Sequence, residues 1–191
     1  MPLGLCLLVW AGHCFASDYH VSPGGLDTNP GTLAQPWQTV QKAANTVVAG
    51  DTVHIHSGTY TERVSLNNRD GTAGAPIVFK TYAGDATASI ETTIVSTETG
   101  TIPLLSIQNC DFVTIENLEF RNCKTTGSNQ QQRAQLPCGI YISGEGNGIK
   151  LLNCKVHDIW QSNNVLNNQN ANGFGIAVYG NHAGGTPVSN L

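Results

Sequence analysis

The residues of this chain with the chemistry to bind a metal or move a proton are few and scattered. His54-Ile55-His56 sets two imidazoles on one face of a strand, a spacing that can hold a metal when a third ligand stands nearby. None is near in sequence, and with Val53 and Ile55 pointing inward the pair reads as solvent-facing. Lys150 and Lys155 are of the type used as general bases, yet they alternate with apolar neighbours as outward strand residues do. Asp158 is a carboxylate beside the polar stretch that starts at Trp160, a place for a metal ligand or for a solvated turn. Cys110, Cys123, Cys138 and Cys154 have no C-x-x-C spacing, so a structural zinc site is poorly supported. Cys123 and Cys138 can close the polar loop between them, or all four can be buried apolar fillers. The sequence has no G-x-S-x-G, H-E-x-x-H, G-x-x-x-x-G-K-[ST] or N-x-[ST] element, which leaves hydrolase-elbow, zincin, nucleotide and N-glycan readings without a starting point.

The elements that must position these groups are strands. With 40% hydrophobic and only 12% charged residues the chain can bury a real core, and its 21 glycines with many Asn and Thr favour tight turns between strands. A net charge of -4, with nine Lys and Arg scattered singly, argues against a nucleic-acid partner.

Self-similarity is the strongest internal signal. Leu104-Leu105-Ser106-Ile107, Gly139-Ile140-Tyr141-Ile142 and Gly175-Ile176-Ala177-Val178 recur at intervals of 35 and 36 residues. Val113 to Phe120 lies 36 residues before Ile149 to Val156, so two series agree on one period. Val113 and Ile115, then Leu118 and Phe120, alternate as in two short strands, with Asn117 at the change of phase and Asn153 in the matching place. Such a period means stacked coils that bury apolar faces against each other, an all-β parallel β-helix or β-solenoid. Asn117 and Asn153 are expected to be structural, tolerating a left-handed bend and stacking between coils.

Two polar inserts, Lys124 to Leu136 and Trp160 to Asn172, fall at the same place in the coil. Stacked on one side, they would wall the strand that follows, whose outward residues are Ser106, Tyr141 and Ala177. Residues 17–100 are expected to be the N-terminal cap and first coils, with an amphipathic helix over Trp37 to Val48 and strands at Thr52 to His56 and Ile77 to Tyr82; residues 101–191 supply the coils. Residues 1–16, with an apolar run from Leu3 to Ala11 and Cys14-Phe15-Ala16 behind it, read as a signal peptide, so extracellular or periplasmic secretion is expected. No later stretch has the ~20 apolar residues of a membrane anchor. A monomer is expected. Ending part-way through a repeat, after Pro187-Val188-Ser189-Asn190-Leu191, the coil stack reads as incomplete.

The cap carries a resemblance. Tyr19-His20-Val21-Ser22-Pro23-Gly24-Gly25-Leu26-Asp27-Thr28-Asn29-Pro30-Gly31-Thr32 and Pro36-Trp37-Gln38-Thr39-Val40-Gln41-Lys42-Ala43, followed by Gly50-Asp51-Thr52-Val53, Gly58-Thr59-Tyr60-Thr61-Glu62 and Gly74-Ala75-Pro76-Ile77, resemble the entry segment of pectin-lyase-like right-handed parallel β-helix proteins, nearest to polysaccharide lyase family 9. The resemblance implies calcium-assisted β-elimination on a uronic-acid polymer such as pectate, calcium neutralising the sugar carboxylate so that a Lys or Arg can remove the C5 proton. It also implies where calcium would sit. In that family a calcium aspartate stands in an Asp-Gly-Phe element; here Asn172-Gly173-Phe174 matches it, so Asn172 is the implied ligand, without the charge, and Asp158 is a second candidate. Two other readings keep the fold. A non-catalytic carbohydrate-binding or surface module needs no acid or base in the groove, and a glycoside hydrolase needs a carboxylate pair that Ser106, Tyr141 and Ala177 do not provide.

Overall fold

The computed structural model describes residues 16–94, 100–125, 135–161 and 173–180. Fourteen strands in these residues form three sheets in which every pairing is parallel. Sheet A holds β1 (Asp18–Val21), β2 (Thr52–Ile55), β5 (Ile77–Thr81), β8 (Val113–Glu116) and β11 (Lys150–Leu152) in that order. Sheet B holds β3 (Thr59–Thr61), β6 (Ala88–Ile94), β9 (Leu118–Thr125) and β12 (Lys155–Val156), with β13 (Ile159–Gln161) also on β9. Sheet C holds β4 (Val64–Asn67), β7 (Gly100–Gln108), β10 (Gln135–Gly144) and β14 (Phe174–Gly180). From β2 onward the chain visits A, B and C in fixed rotation, so each strand finds its backbone partners one circuit away.

The repeat read from the sequence is the register of this stack. Leu105 pairs with Ile140 and Ile140 with Ile176, steps of 35 and 36 residues, while Ile115 pairs with Leu151, a step of 36. Inward residues therefore meet their equivalents. Val53, Phe79, Ile115 and Leu151 form one row, Tyr60, Ile90, Phe120 and Val156 a second, and Leu66, Ile107, Ile142 and Val178 a third. Burying each such side chain contributes roughly 1.5–3 kcal/mol. All but the last members of these rows are buried, and Ile176 and Val178 on β14 are exposed.

Left-handed bends recur with the same period. Every non-glycine residue of positive φ among the described residues falls into one of four positions: Asn68 and Asn109, in line with Gly144; Phe112, in line with Gly148; Asn117 and Asn153; Asn122 and Asp158. Asn and Asp are the side chains that bear this conformation at least cost, and glycine bears it freely. Asn117 and Asn153, with φ 56° and 52°, thus sit where the chain leaves sheet A for sheet B.

The helix is shorter than the apolar spacing suggests. α1 runs Val40–Thr46, because Thr39 stops it at the N-terminus: its hydroxyl accepts from the Lys42 amide, and its own amide, with that of Gln38, donates to Asp27. Glu62, from the turn before β4, accepts from the amides of Val40 (2.8 Å) and Gln41 (3.0 Å) and so satisfies two more of the helix's free donors. Trp37 lies outside the helix, stacked on Tyr19 with ring centroids 4.6 Å apart and donating to the carbonyl of Asn29. A Cβ at Gly31 would lie 2.6 Å from the Trp37 ring, which is why the Pro30-Gly31-Thr32 turn needs glycine.

The four cysteines from Cys110 to Cys154 are free thiols, three of them buried, which fits the filler reading and not a bridge between Cys123 and Cys138. Burial pushes the Cys138 thiol up to about 12 and that of Cys123 to about 11. Of the expected leader only Ala16 is among the described residues, and no described helix is long and apolar enough to cross a membrane.

Candidate functional site

The two polar inserts both connect a strand of sheet B to a strand of sheet C, as the repeat predicts. Their ends are fixed by the coils. Lys124 at the end of β9 and Trp160 in β13 are partners in register, and the Lys124 ammonium lies 5.9 Å from the centre of the Trp160 ring. Trp160 is half exposed. Parallel register explains the pairing, since outward side chains from successive coils must stand side by side. Gly173, where the second insert returns, allows β14 to close against β13: a Cβ there would sit 2.5 Å from the Ile159 carbonyl oxygen. On sheet C the residues expected outward line up in register as Ser65, Ser106, Tyr141 and Ala177, of which Ala177 is buried, with Tyr179 5.6 Å from the Tyr141 ring. This row carries hydroxyls and aromatic faces, and no acid or base.

A charged network covers the neighbouring part of sheet B. Arg121 donates from Nε to Glu91 (3.1 Å) and from Nη1 to Glu119 (3.3 Å), and Asn122 also donates to Glu91. Glu119 reaches His157 Nε2 at 2.7 Å, and the other ring nitrogen lies 2.8 Å from the Asp158 carboxylate. The hydrogen bond accepted by Glu119, then that accepted by Asp158, holds the His157 imidazole above its ordinary value. Glu91 and Glu119 share one guanidinium, which holds both carboxylates on this face of sheet B.

Asp158 therefore stands in a left-handed bend, φ 54°, with its carboxylate against the His157 imidazole. No group of three or more His, Cys, Asp or Glu among the described residues is arranged to hold a metal ion, so the described residues alone do not fit a calcium centre. Asn172 lies outside the described residues. Asn117 donates from its side-chain amide to Glu116 at 3.4 Å and accepts the Thr81 hydroxyl on its backbone carbonyl, while Asn153 takes the same bend 36 residues later. Lys150 and Lys155 are exposed, opposite Thr114 and Glu119.

One cluster escaped sequence reading. His54 and His56, expected as a solvent-facing pair with no third ligand near in sequence, meet His20 from β1 and Tyr82 from the turn after β5 on the outer face of sheet A, flanked by Asp18 and Asp85. His20 and His54 are direct register partners on β1 and β2, a pairing that lies outside the repeat read between Leu104 and Val178.

Three parallel sheets visited in rotation, with a hydroxyl and aromatic row on sheet C, define a mostly β protein of parallel sheets. The chain belongs to the Pel9A-like, right-handed β-helix family, whose model matches residues 19–186. It is 32% identical over 137 residues to the uncharacterized protein YwoF of Bacillus subtilis, covering 71% of this chain and 28% of that protein. It is 30% identical over 119 residues to the pectate lyase PEL9 of Emericella nidulans, covering 56% of this chain and again 28% of the relative. The chain thus spans less than a third of the length of these curated relatives. A GH136 lacto-N-biosidase from Eubacterium ramulus shares the fold, with a TM-score of 0.61 at 20% identity over 85% of this chain and 30% of the enzyme.

Proposed function

We propose that this protein acts outside the cytoplasm on an acidic polysaccharide, as part of a lyase that cleaves a uronic-acid polymer such as pectate by β-elimination. The observation that carries the reading is the exposed Trp160 ring with the Lys124 ammonium at its face, set beside the inserts that lead into sheet C. An indole face packs against the C–H face of a pyranose, and a cation beside it pairs with the uronate carboxylate. A neutral glycan would use only the first of these. The family and the pectate lyase relative supply the chemical class.

In this proposal the rotation of strands is a β-solenoid, α1 caps its first coil, and the row Ser65, Ser106, Tyr141 and Ala177 floors the groove in which an extended chain lies. Elimination removes the proton at C5 of the uronate and expels the oxygen at C4. Bound calcium would neutralise the uronate carboxylate and make that proton more acidic. Asp158 and Asn172 are the proposed ligands from this chain, and because the described residues do not complete an ion site no step is assigned to them. Lys150 and Lys155, exposed and outward, are not assigned as the base.

A second reading rests on the same row. Without an acid or base in it, sheet C suits a module that binds uronan and leaves it intact. Calorimetric titration with polygalacturonate and with a neutral galactan tests the shared part of both readings: uronan binding that weakens in Lys124→Ala supports them, and equal affinity for the two polymers overturns them.

A further inference from the structure

On the outer face of sheet A, β1, β2 and the turn after β5 bring three imidazoles into one cluster. Asp85 Oδ2 accepts from the Ser57 amide (3.0 Å) and lies 3.0 Å from His56 Nδ1. An ionised carboxylate only accepts, so His56 carries its proton on Nδ1 and presents a bare Nε2. That Nε2 is 3.1 Å from His20 Nδ1, which must then be the donor. Two hydrogen bonds in series thus run from Asp85 through His56 to His20, and they fix both tautomers. A separate bond joins the strands where His54 Nε2 meets Asp18 Oδ1 at 3.0 Å. The Tyr82 ring lies over the group, 4.5 Å from His56 and 5.4 Å from His20.

β1 is the edge strand of sheet A, and β2 is its one partner among the described strands. We propose that the histidine cluster is an acid-released clasp: it holds β1 to the sheet while His20 is neutral and lets go when His20 takes a proton of its own. A proton taken by His20 goes to its bare Nε2 and puts a positive charge in a site where the residue is only 8% exposed and lies between the rings of His54 and His56. His54 offers no relief. Its Nδ1 is buried without a hydrogen-bond partner, but its ring is stacked on that of His20 at 4.9 Å with 19° between the planes, so the two cannot bond edge to edge.

The charged and titratable groups facing His20 from the packed strands are Asp18 on β1, His54 and His56 from β2, and Lys80, Tyr82 and Asp85 from β5 and its turn. Burial first, then His54 and His56, hold the His20 imidazole below its ordinary value, and the attraction of Asp18 for the proton is smaller than these. The sign follows. A lowered histidine contributes stability that is whole above the unfolded value of 6.5 and is lost as pH falls from there towards the folded value. Tyr19 links the clasp to the remainder of the N-terminal segment, since it follows Asp18 on the same strand and stacks on Trp37.

Amide hydrogen exchange on the intact protein tests the clasp, with rates corrected for intrinsic pH dependence and compared at about pH 8 and about pH 5. Protection of the β1 amides is expected to fall about ten-fold or more in acid while that of β8 holds, a change of about 1.4 kcal/mol confined to one strand. In His20→Gln, which keeps a donor and cannot titrate, the β1 change should vanish. Unchanged β1 protection in the natural protein, or the same loss in His20→Gln, overturns the proposal. Imidazole nitrogen NMR at about pH 8 is the check that needs no variant: Nδ1–H tautomers at His20 and His56 are expected, and Nε2–H at either contradicts the series of bonds.

Discussion

Asn122 and Asp158 occupy one and the same left-handed bend in successive coils, with φ of 53° and 54°, between the paired residues Phe120 and Val156 on one side and Cys123 and Ile159 on the other. The position calls for Asn or Asp on backbone grounds alone. Asp158→Asn should therefore leave stability within about 0.5 kcal/mol, whereas Asp158→Ala should cost about 1–2 kcal/mol by chemical denaturation. Equal losses in the two variants would show that the carboxylate and not the bend determines the residue.

Asp158 also acts, with Glu119, on His157. With its imidazole held above the ordinary 6.5 by Glu119 and then Asp158, the contribution of His157 to stability is full below 6.5 and is lost as pH rises through the folded value. The NMR titration midpoint should fall towards 6.5 in Glu119→Gln, and by less in Asp158→Asn. A larger fall in Asp158→Asn would reverse the order of the two contacts.

Glu62 is the residue that fastens α1 to the turn before β4, accepting two helix amides through its two oxygens. Glu62→Ala leaves both amides without that partner and should lower stability by about 1–2 kcal/mol in thermal or chemical unfolding. Glu62→Gln keeps one acceptor and should fall between. A loss in Glu62→Gln as large as in Glu62→Ala would mean that the charge, and not the pair of hydrogen bonds, is what the helix requires.

At the proposed sugar platform, Trp160→Ala should weaken uronan binding by about 1–3 kcal/mol, in the range found for stacking contacts, and Lys124→Ala by about 1 kcal/mol with a steeper loss in low salt. Affinity electrophoresis in gels cast with polygalacturonate reads both. Binding that is the same in Trp160→Ala as in the natural protein removes the platform from the account.

Much of this architecture is legible in the sequence because parallel strands paired at a fixed interval write their register as a period. The repeats at Leu105, Ile140 and Ile176 become paired strands at their own spacing, and Asn117 and Asn153 mark real bends. Tertiary capping is not legible in the same way. The apolar spacing from Trp37 to Val48 overstates the helix, since it does not record that Asp27 and Glu62, distant in sequence, close its first turn. The histidine cluster is missed for a related reason: a search for ligands near His54 and His56 looks along the chain, while the partners lie one coil away at His20 and on the turn carrying Tyr82 and Asp85.

The most direct test of the central claim incubates the protein in its full natural length with polygalacturonate, alginate and dermatan sulfate, with and without calcium, while ultraviolet absorbance of the unsaturated uronate is followed. A calcium-dependent rise on one of these polymers is expected. A flat trace on all three from folded protein that still binds uronan would contradict the lyase and leave the binding module standing.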